Sequence, residues 1–450
     1  MLQGPTGSGK TQMGVQGFIL PALEKGNSVS FVVPLIQLVD QTCETLLQNG
    51  VVQSDIDVRQ GDHPWANPGG RVMVCSIDTL AARDHYPACP LAIIDEAHLR
   101  RDHIWKWMDK RPKTTFIGLS ATPWSVGLGK HYSALVVAST TQRLIDDGFL
   151  APFKVYAPSK PDLSGLSGLD YAQEALAERV MGRELISDVV DSWLKLGEGR
   201  STICFAVNRA HAKLIQNQFL SRGVKADYVD AFTELTERRE IKRRLHAHET
   251  QIVVNVGVLT AGTDWDIGCL ILACPTKSEA RFVQMVGRVL RTSEQWPEAI
   301  IIDHSDTHER LGFVTDIHHP RLDTSDKAQG SIKKEKEALP KACSKCAFMK
   351  PPKTPECPVC GHKAEKQSGV DTIDGELVEL TNKRDNPELW AKLISYARDK
   401  GKKDGWAWYT VGLITGKKPE GSPPKPIQWT EEIPNMVKYG YIKSKSSRKK

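Results

Sequence analysis

The sequence predicts two α/β domains in tandem, each a parallel sheet flanked by helices, followed by a cysteine-bearing module and a small helical, basic region. Three observations lead to this prediction. Short apolar runs alternate with helical patterns in the first part of the chain, which is the rhythm of a parallel sheet covered by helices. The same rhythm begins again after Leu150. The length of 450 residues is enough for two or three domains.

Apolar runs bounded by polar turns mark the expected strands. In the first domain they lie at residues 29–34, 71–77, 91–95 and 114–119. In the second, a long helical stretch at 171–196 precedes strands at 202–207, 252–256, 270–273 and 299–303. A further helix is predicted at 387–400. The expected division is a first domain 1–150, a second domain 151–314, a linker 315–340, the cysteine module 341–364, a linker 365–384, a small helical module 385–416 and a basic tail 417–450 that is extended or partly disordered.

The composition is that of a globular protein, with 40% hydrophobic and 25% charged residues. No apolar run approaches the ~18 residues of a membrane span. The first residues form neither a basic nor an apolar leader, so we expect a cytoplasmic monomer without a membrane segment. Its ten cysteines are then thiols or metal ligands.

The net charge of +6 is unevenly distributed along the chain. Residues 327–450 contain 26 Lys and Arg against 15 Asp and Glu, whereas residues 1–326 contain 34 against 39. A segregated basic region favours binding to a polyanion. The alternative is a set of solvated lysines that keep the chain soluble.

Residues 4–11 read G-P-T-G-S-G-K-T, the pattern of a phosphate-binding loop. Glycines let backbone N–H groups turn towards phosphates, the lysine reaches the β and γ oxygens, and the threonine hydroxyl ligates Mg²⁺. The loop therefore predicts ATP and Mg²⁺ as ligands. The residues expected to bind them are Gly4, Thr6, Gly7, Gly9, Lys10 and Thr11.

Two further segments follow predicted strands of the first domain. Residues 91–98 are an apolar strand that ends in Asp95 and Glu96, so both carboxylates are expected at the carboxyl edge of the sheet. Asp95 would hold Mg²⁺ and Glu96 would orient and deprotonate the attacking water; the alternative is the acidic first turn of a helix. Ser120 and Thr122 follow the next strand, at the same edge, where they would link the nucleotide site to the neighbouring domain.

In the second domain, residues 284–291 read Q-M-V-G-R-V-L-R within a predicted helix after Ser278. Helical spacing places Gln284, Arg288 and Arg291 on one face. Two guanidinium groups suit a γ-phosphate whose transition state needs cations from across a cleft. A solvated basic stripe is the alternative.

A phosphate loop, D-E-A-H at 95–98, S-A-T at 120–122 and Q-x-x-G-R-x-x-R at 284–291, in this order over residues 1–310, resemble a superfamily 2 helicase of the DEAD/DEAH type. The resemblance implies two RecA-like domains with ATP in the cleft between them and a nucleic-acid strand across their top. It also implies catalytic roles for Glu96, Gln284, Arg288 and Arg291. Segments 34–41, 76–80 and 260–264 resemble further helicase motifs, which hold the phosphodiester backbone. The residues that this implies as nucleotide contacts are His98 and Asp264, and those implied as nucleic-acid contacts are Pro34, Gln41, Thr79, Thr260 and Gly262.

One departure from the family pattern concerns the start of the chain. Helicases of this type have a strand and a glutamine motif that reads adenine before the phosphate loop, whereas three residues precede Gly4 here. We therefore expect the first strand and the glutamine motif to be missing.

The spacing Cys343-x₂-Cys346-x₁₀-Cys357-x₂-Cys360 matches a zinc ribbon with four thiolate ligands. Redox pairs or disulfides are the alternatives, and reduced cytoplasmic thiols favour zinc over both. Six further cysteines are scattered, mostly in apolar strands, and are expected in the core: Cys43, Cys75, Cys89, Cys204, Cys269 and Cys274.

Segments 396–407, 301–304 and 312–313 resemble the RadD family of bacterial and phage DNA-repair helicases, which carry a zinc ribbon after the helicase core. This resemblance implies DNA, single-stranded or branched, rather than RNA, with single-strand-binding or recombination proteins as candidate partners. Trp406, Trp408 and Tyr409 lie among lysines and either stack on unpaired bases or form the core of a small module.

These patterns together predict an ATP-dependent DNA helicase or translocase in repair or recombination. A nucleic-acid-stimulated ATPase that remodels strands without unwinding them, or that acts on RNA, is the first alternative. A zinc-dependent DNA-binding protein with an inactive, truncated ATPase is the second.

Overall fold

The computed structural model describes residues 1–166, 168, 170–260, 265–325, 339–363, 387–415, 418–430, 433–434 and 436–438. The chain divides into two compact units, Met1–Glu365 and Lys366–Lys450. The first unit contains two parallel sheets and the second contains a pair of helices. The predicted fold class, two tandem RecA-like α/β domains followed by a cysteine cluster, is confirmed.

The first domain is a seven-stranded sheet in the order β3-β4-β2-β5-β6-β1-β7, with every pair parallel. Its strands are β1 Leu2–Gln3, β2 Val29–Val33, β3 Ile56–Arg59, β4 Val72–Ser76, β5 Leu91–Ile94, β6 Thr115–Ser120 and β7 Val136–Val137. Its helices are α1 Lys10–Gly14, continued by a π-helical turn Val15–Ile19 into α2 Leu20–Glu24, then α3 Gln37–Gln48, α4 Ile77–Arg83, α5 Asp102–Lys110, α6 Leu128–His131 and α7 Thr141–Asp146. A 3-10 turn, Gln53–Asp55, precedes β3.

The expectation that the first strand is missing is wrong. Leu2 and Gln3 form β1 between β6 and β7, with Leu2 opposite Leu119 and Val136. Two residues are too few to show the alternation from which a strand is predicted. The phosphate loop therefore leaves the sheet from a paired strand.

The helix that follows the phosphate loop packs closely on the centre of this sheet. Phe31 of β2 is fully buried. Gly14 lies so near that a Cβ placed there would be 3.1 Å from the Phe31 ring and 3.2 Å from Leu119. This contact fixes α1, and with it the phosphate loop, against β2 and β6, the strands on either side of β5, whose end carries the acidic residues.

The second domain is a six-stranded parallel sheet in the order β10-β11-β9-β12-β13-β8. Its strands are β8 Phe153–Tyr156, β9 Thr202–Phe205, β10 Ala226–Val229, β11 Ile252–Asn255, β12 Cys269–Leu272 and β13 Ala299–Asp303. Its helices are α8 Gln173–Val180, α9 Arg183–Leu196, α10 Arg209–Ser221, α11 Leu235–His246, α12 Glu279–Val286 and α13 Thr307–Leu311. The long helical stretch predicted at 171–196 is thus two helices, which break at Met181 and Gly182.

The chain returns to the first domain after the second sheet. His319 lies against Trp124 with ring centroids 4.4 Å apart. Leu322 packs against the core of the first domain, and the Gly129 N–H donates to the Asp323 carbonyl over 2.7 Å. Residues 315–325, predicted as linker, therefore tie the two domains together; residues 326–338 of that linker lie outside the described part.

The cysteine module packs on the outer strand of the second sheet. It contains β14 Lys341–Ala342 and β15 Met349–Lys350, which pair antiparallel. Met349 is only 1% exposed and belongs to the core of the second domain. The Ala157 N–H donates to the Ala347 carbonyl over 2.9 Å, just beyond β8. The module is thus fixed to the second domain.

The second unit contains α14 Pro387–Asp399, close to the predicted helix 387–400, and α15 Asp404–Thr415. Trp406 packs into their shared core, whereas Trp408 and Tyr409 are 37% and 42% exposed. Residues of the predicted tail also join this core. Ile433 is 2% exposed, and Trp429 Nε1 donates to Asp399 over 2.5 Å. The basic run 443–450 lies outside the described residues. Within the described part of the chain, no helix is both long and apolar enough to cross a membrane.

All six scattered cysteines are buried in the two sheet domains, as predicted.

We predict that Gly14→Val lowers the stability of the first domain by ~1–3 kcal/mol, because the added methyl groups meet Phe31 and Leu119. Gly17→Val is the matched control, since a Cβ at Gly17 meets no atom within 4 Å. Differential scanning calorimetry measures both variants. Equal melting temperatures for the two would contradict the close packing of α1 on the sheet.

Candidate active site

The phosphate loop joins β1 to α1, which begins at Lys10. Gly7 and Gly9 adopt left-handed φ values of 85° and 74°, a conformation that costs other residues roughly 1–2 kcal/mol. Lys10 Nζ lies 3.4 Å from the Pro5 carbonyl, at the inner side of the loop. Burial lowers the pKa of Lys10, and the charges of Glu96 and Asp95 oppose that shift.

Asp95 and Glu96 follow β5 at the carboxyl edge of the sheet. Glu96 has a φ of 47°, a strained value for a residue other than glycine, and its N–H donates to Asp95 Oδ1 over 2.9 Å. Burial raises the pKa of Asp95 to about 7, and the charge of Glu96 adds to the shift. Burial also acts to raise the pKa of Glu96, but the contact with His98 and the charge of Lys10 outweigh it and lower this pKa to about 2.

A chain of hydrogen bonds joins the two domains beside these carboxylates. Gln284 of α12 lies 2.8 Å from His98 Nε2, and its amide also donates to Thr122 Oγ1 over 3.1 Å. His98 Nδ1 lies 2.9 Å from Ser120 Oγ, and the Thr122 N–H donates to the same Ser120 oxygen over 3.0 Å. With the Gln284 amide as donor, His98 Nε2 is the acceptor. Ser120, Thr122, His98 and Gln284 thus form one interdomain network.

The two arginines reach the phosphate loop in a different way from the prediction. Helix α12 ends at Val286, so Arg288 lies in the following turn and Arg291 pairs with Leu150 as an isolated bridge. At this point Gly287 packs directly on the phosphate loop. A Cβ on Gly287 would lie 2.4 Å from the Cβ of Thr6. The prediction of one helical face is therefore wrong, although the turn still directs both arginines into the cleft.

One cavity of about 640 Å³ lies between the two domains. It is lined by the phosphate loop, the two carboxylates and the two arginines. Two buried oxygens of the loop, Thr6 Oγ1 and Ser8 Oγ, have no hydrogen-bond partner within the described structure. Unsatisfied polar atoms, a buried lysine and two arginines are a donor set that fits a polyphosphate. Of the predicted nucleotide and catalytic residues, the cavity is lined by Thr6, Gly7, Gly9, Lys10, Thr11, Asp95, Glu96, Arg288 and Arg291. Gly4 lies behind the loop, where its N–H donates to the Ser120 carbonyl over 3.1 Å.

The structure also brings residues to this cavity that sequence reasoning missed. They come from α1, α3, α11 and the segments around the second sheet, and only Leu38 belongs to a segment singled out above, 34–41: Gln12, Leu38, Thr42, Thr45, Gln48, Phe149, Lys242, His246, Trp265, Asp266, Ile267 and Thr292. The one available signal was the helical spacing of polar residues along α3. Asp266 and its neighbours follow directly after the predicted motif at 260–264.

The predicted nucleic-acid contacts are placed unevenly. Gln41 lines the nucleotide cavity instead, because hydrogen bonds between Gln12 and Asn49 hold α3 beside α1. Pro34 is buried at the end of β2, and the exposed side chains there are those of Leu35 and Ile36. Thr79 in α4 is half-buried. Thr260 is half-buried after β11, with its hydroxyl donating to the Gly257 carbonyl over 3.2 Å. Gly262 and Asp264 lie outside the described residues.

The four cysteines of the module come together. Their sulfur atoms lie within 4.8 Å of one another, with 3.7 Å between Cys343 and Cys360 and 3.6 Å between Cys346 and Cys357. A tetrahedral zinc ion bound by thiolates at ~2.3 Å places its sulfurs about 3.8 Å apart. The cluster therefore fits zinc as a structural ion with four protein ligands.

Comparison with known proteins gives matches in both domains. Residues 1–125 match the family described as "Type III restriction enzyme, res subunit", and residues 184–293 match "Helicase conserved C-terminal domain". The chain is 30% identical over 269 residues to IRC3 of Saccharomyces cerevisiae, which is assigned as an ATP-dependent helicase. This chain is therefore similar to ATP-dependent helicases in both α/β domains. The match covers 55% of this chain and 39% of the yeast protein. A 51.5 kDa protein of a Lactococcus phage is 28% identical over 402 residues, 84% of this chain and 83% of the phage protein.

Solved structures show the same fold. S. cerevisiae Dbp5 bound to RNA and ADP BeF3 matches with a TM-score of 0.50 and 16% identity, over 72% of this chain and 85% of Dbp5. A fragment assigned as the HsdR subunit of a type I restriction enzyme from Vibrio vulnificus matches with a TM-score of 0.50 and 20% identity, over 66% of this chain and 56% of the fragment. Both likenesses concern the arrangement of the two α/β domains.

We predict that Gly287→Ala separates the domains at the phosphate loop, because the new methyl group collides with Thr6. Amide hydrogen exchange at residues 4–11 should become about ten-fold faster or more. Gly182→Ala in the same domain is the control, since a Cβ there meets no atom within 4 Å. Unchanged exchange at the loop in Gly287→Ala would contradict the contact.

We also predict that the wild-type chain contains one zinc ion and that the double substitution Cys343→Ser and Cys346→Ser contains none. Metal binding and folding of such a module share one free energy, so the variant should also lose protection around Met349. Mass spectrometry of the metal content gives the stoichiometry, with Cys43→Ser as the control for a buried cysteine outside the cluster. Full zinc content in the double variant would overturn the assignment.

Proposed function

We propose that this protein is an ATP-dependent DNA helicase or translocase that couples ATP hydrolysis to movement on, or unwinding of, nucleic acid. The observation that carries the proposal is the shared cavity: Lys10 and Thr11 from one domain face Arg288 and Arg291 from the other. A cleft of this kind is completed only when both domains meet, so hydrolysis can be coupled to their relative movement.

In this proposal, Lys10 and the backbone N–H groups of the loop bind the β and γ phosphates. Glu96 orients the attacking water and accepts its proton. Arg288 and Arg291 neutralise the charge that develops on the γ-phosphate in the transition state. Thr11 and Asp95 are the residues that would hold Mg²⁺, which supplies charge neutralisation between the phosphates when bound.

The interdomain network supports a link between the two halves of this process. Gln284 contacts the first domain through His98 and Thr122. Ser120 and Thr122 are fully buried at this contact. A change at the nucleotide is thus passed to the segments that end at the carboxyl edges of both sheets. Thr79, Thr260 and Gly262 are proposed strand contacts at these edges, and Asp264 is a proposed nucleotide contact.

DNA is the proposed substrate because the match at residues 1–125 is to a restriction-enzyme family and because the carboxyl-terminal segments resemble RadD. We propose a role in repair or recombination, with single-strand-binding or recombination proteins as partners and a cytoplasmic monomer as the active form. The basic second unit, with exposed Trp408 and Tyr409, is a proposed accessory contact for single strands. The alternative of an inactive, truncated ATPase was favoured by the expected absence of the first strand. That support is lost because β1 is paired with β6.

Lys10→Ala should abolish nucleic-acid-stimulated ATP hydrolysis and leave strand binding within about two-fold of wild type, because the lysine contacts phosphate in the cleft and not the strand. Turnover is measured by phosphate release and binding by fluorescence anisotropy on the same preparation. Undiminished turnover in the variant would remove the loop from the mechanism.

Arg291→Ala should lower kcat by ~10³-fold or more with little change in nucleotide affinity, as expected for a cation needed mainly in the transition state. Arg239→Ala, on the exposed side of α11, controls for loss of a surface charge. A variant in which affinity falls and kcat holds would show that Arg291 is a ground-state contact only.

A further inference from the structure

The cavity between the two α/β domains continues beyond the phosphate-binding residues. Its walls include Phe149 and the side-chain amides of Gln12, Gln41 and Gln48. A cavity with an aromatic ring and several amides has the chemistry of a base-binding site.

Phe149 is unusually exposed for its position. Of the eleven phenylalanines, all in the described part of the chain, only Phe149 and Phe232 are more than half exposed, at 68% and 77%. The next residue, Leu150, is 1% exposed and lies against the phosphate loop, where a Cβ on Gly7 would be 3.2 Å from its side chain. The backbone thus buries one side chain and presents the other to the cavity.

The backbone at Phe149 is held in place by the end of α7. Gly148 adopts a left-handed φ of 78° just after this helix. The N–H groups of Phe149 and Leu150 both donate to the Leu144 carbonyl, over 2.8 and 3.0 Å. Such a helix end fixes the backbone of the following residues. The Phe149 ring is therefore carried by a fixed backbone at the wall of the cavity.

We propose that Phe149 stacks on the base of the bound nucleotide and so supplies a base contact in this cavity. The inference rests on the proposed binding of ATP in this cleft. Aromatic stacking on a base needs no sequence motif around it, since every base has a π face. The amides of α1 and α3 supply hydrogen-bonding groups in the same cavity.

The test compares two probes that differ in the base, ADP and inorganic tripolyphosphate, both with Mg²⁺, by isothermal titration calorimetry on the full chain. Phe149→Ala should weaken ADP binding about ten-fold or more and leave tripolyphosphate binding unchanged. Phe149→Trp should keep the affinity for ADP. Phe232→Ala, which removes a similarly exposed ring outside the cavity, should change neither affinity.

Unchanged ADP affinity in Phe149→Ala would overturn the inference. An equal loss for ADP and tripolyphosphate would also overturn it, because Phe149 would then act on the shape of the phosphate loop. If the wild-type chain binds neither probe, the proposed function itself fails, and this outcome is distinct from the other two.

Discussion

The contact between Gly287 and Thr6 is the constraint on which the rest of the site depends. Because Gly287 has no side chain, the turn after α12 lies directly on the phosphate loop. That approach places Arg288 and Arg291 in the same cavity as Lys10. A side chain at this position would separate the charges of one domain from the phosphate-binding groups of the other. In the Q-x-x-G-R-x-x-R pattern, the glycine is therefore required for steric reasons. The arginines are required for their charge.

The hydrogen-bond network beside this contact gives the interface its specificity. A steric contact alone would tolerate sliding of one domain over the other. Gln284 removes that freedom because it bonds at once to His98 and Thr122, two residues that Ser120 holds together. The return segment adds a second tie, through His319 on Trp124 and through Leu322 in the first core. The two α/β domains are thus joined by two sets of contacts.

Short motifs let the sequence predict the chemistry of the site well and its geometry less well. The phosphate loop and the four cysteines were predictable because fixed spacing encodes a local structure. The strand β1 was not, since two residues carry no periodicity. The position of the turn after α12 was not predictable, because it depends on the packing of Gly287 against Thr6, 281 positions away in the sequence. Gln41 and Phe149 reach the cavity through packing of α3 and α7, which no motif records.

We propose that a cleft completed by both domains hydrolyses ATP in response to nucleic acid. The most direct measurement is steady-state ATP hydrolysis by the wild-type chain, on one preparation, without nucleic acid and with single-stranded DNA, RNA or duplex DNA. We expect slow hydrolysis that single-stranded DNA raises by at least about ten-fold, with a smaller effect of RNA. A rate of hydrolysis that none of the nucleic acids changes would contradict this proposal. The absence of ATP hydrolysis under every condition would also contradict it.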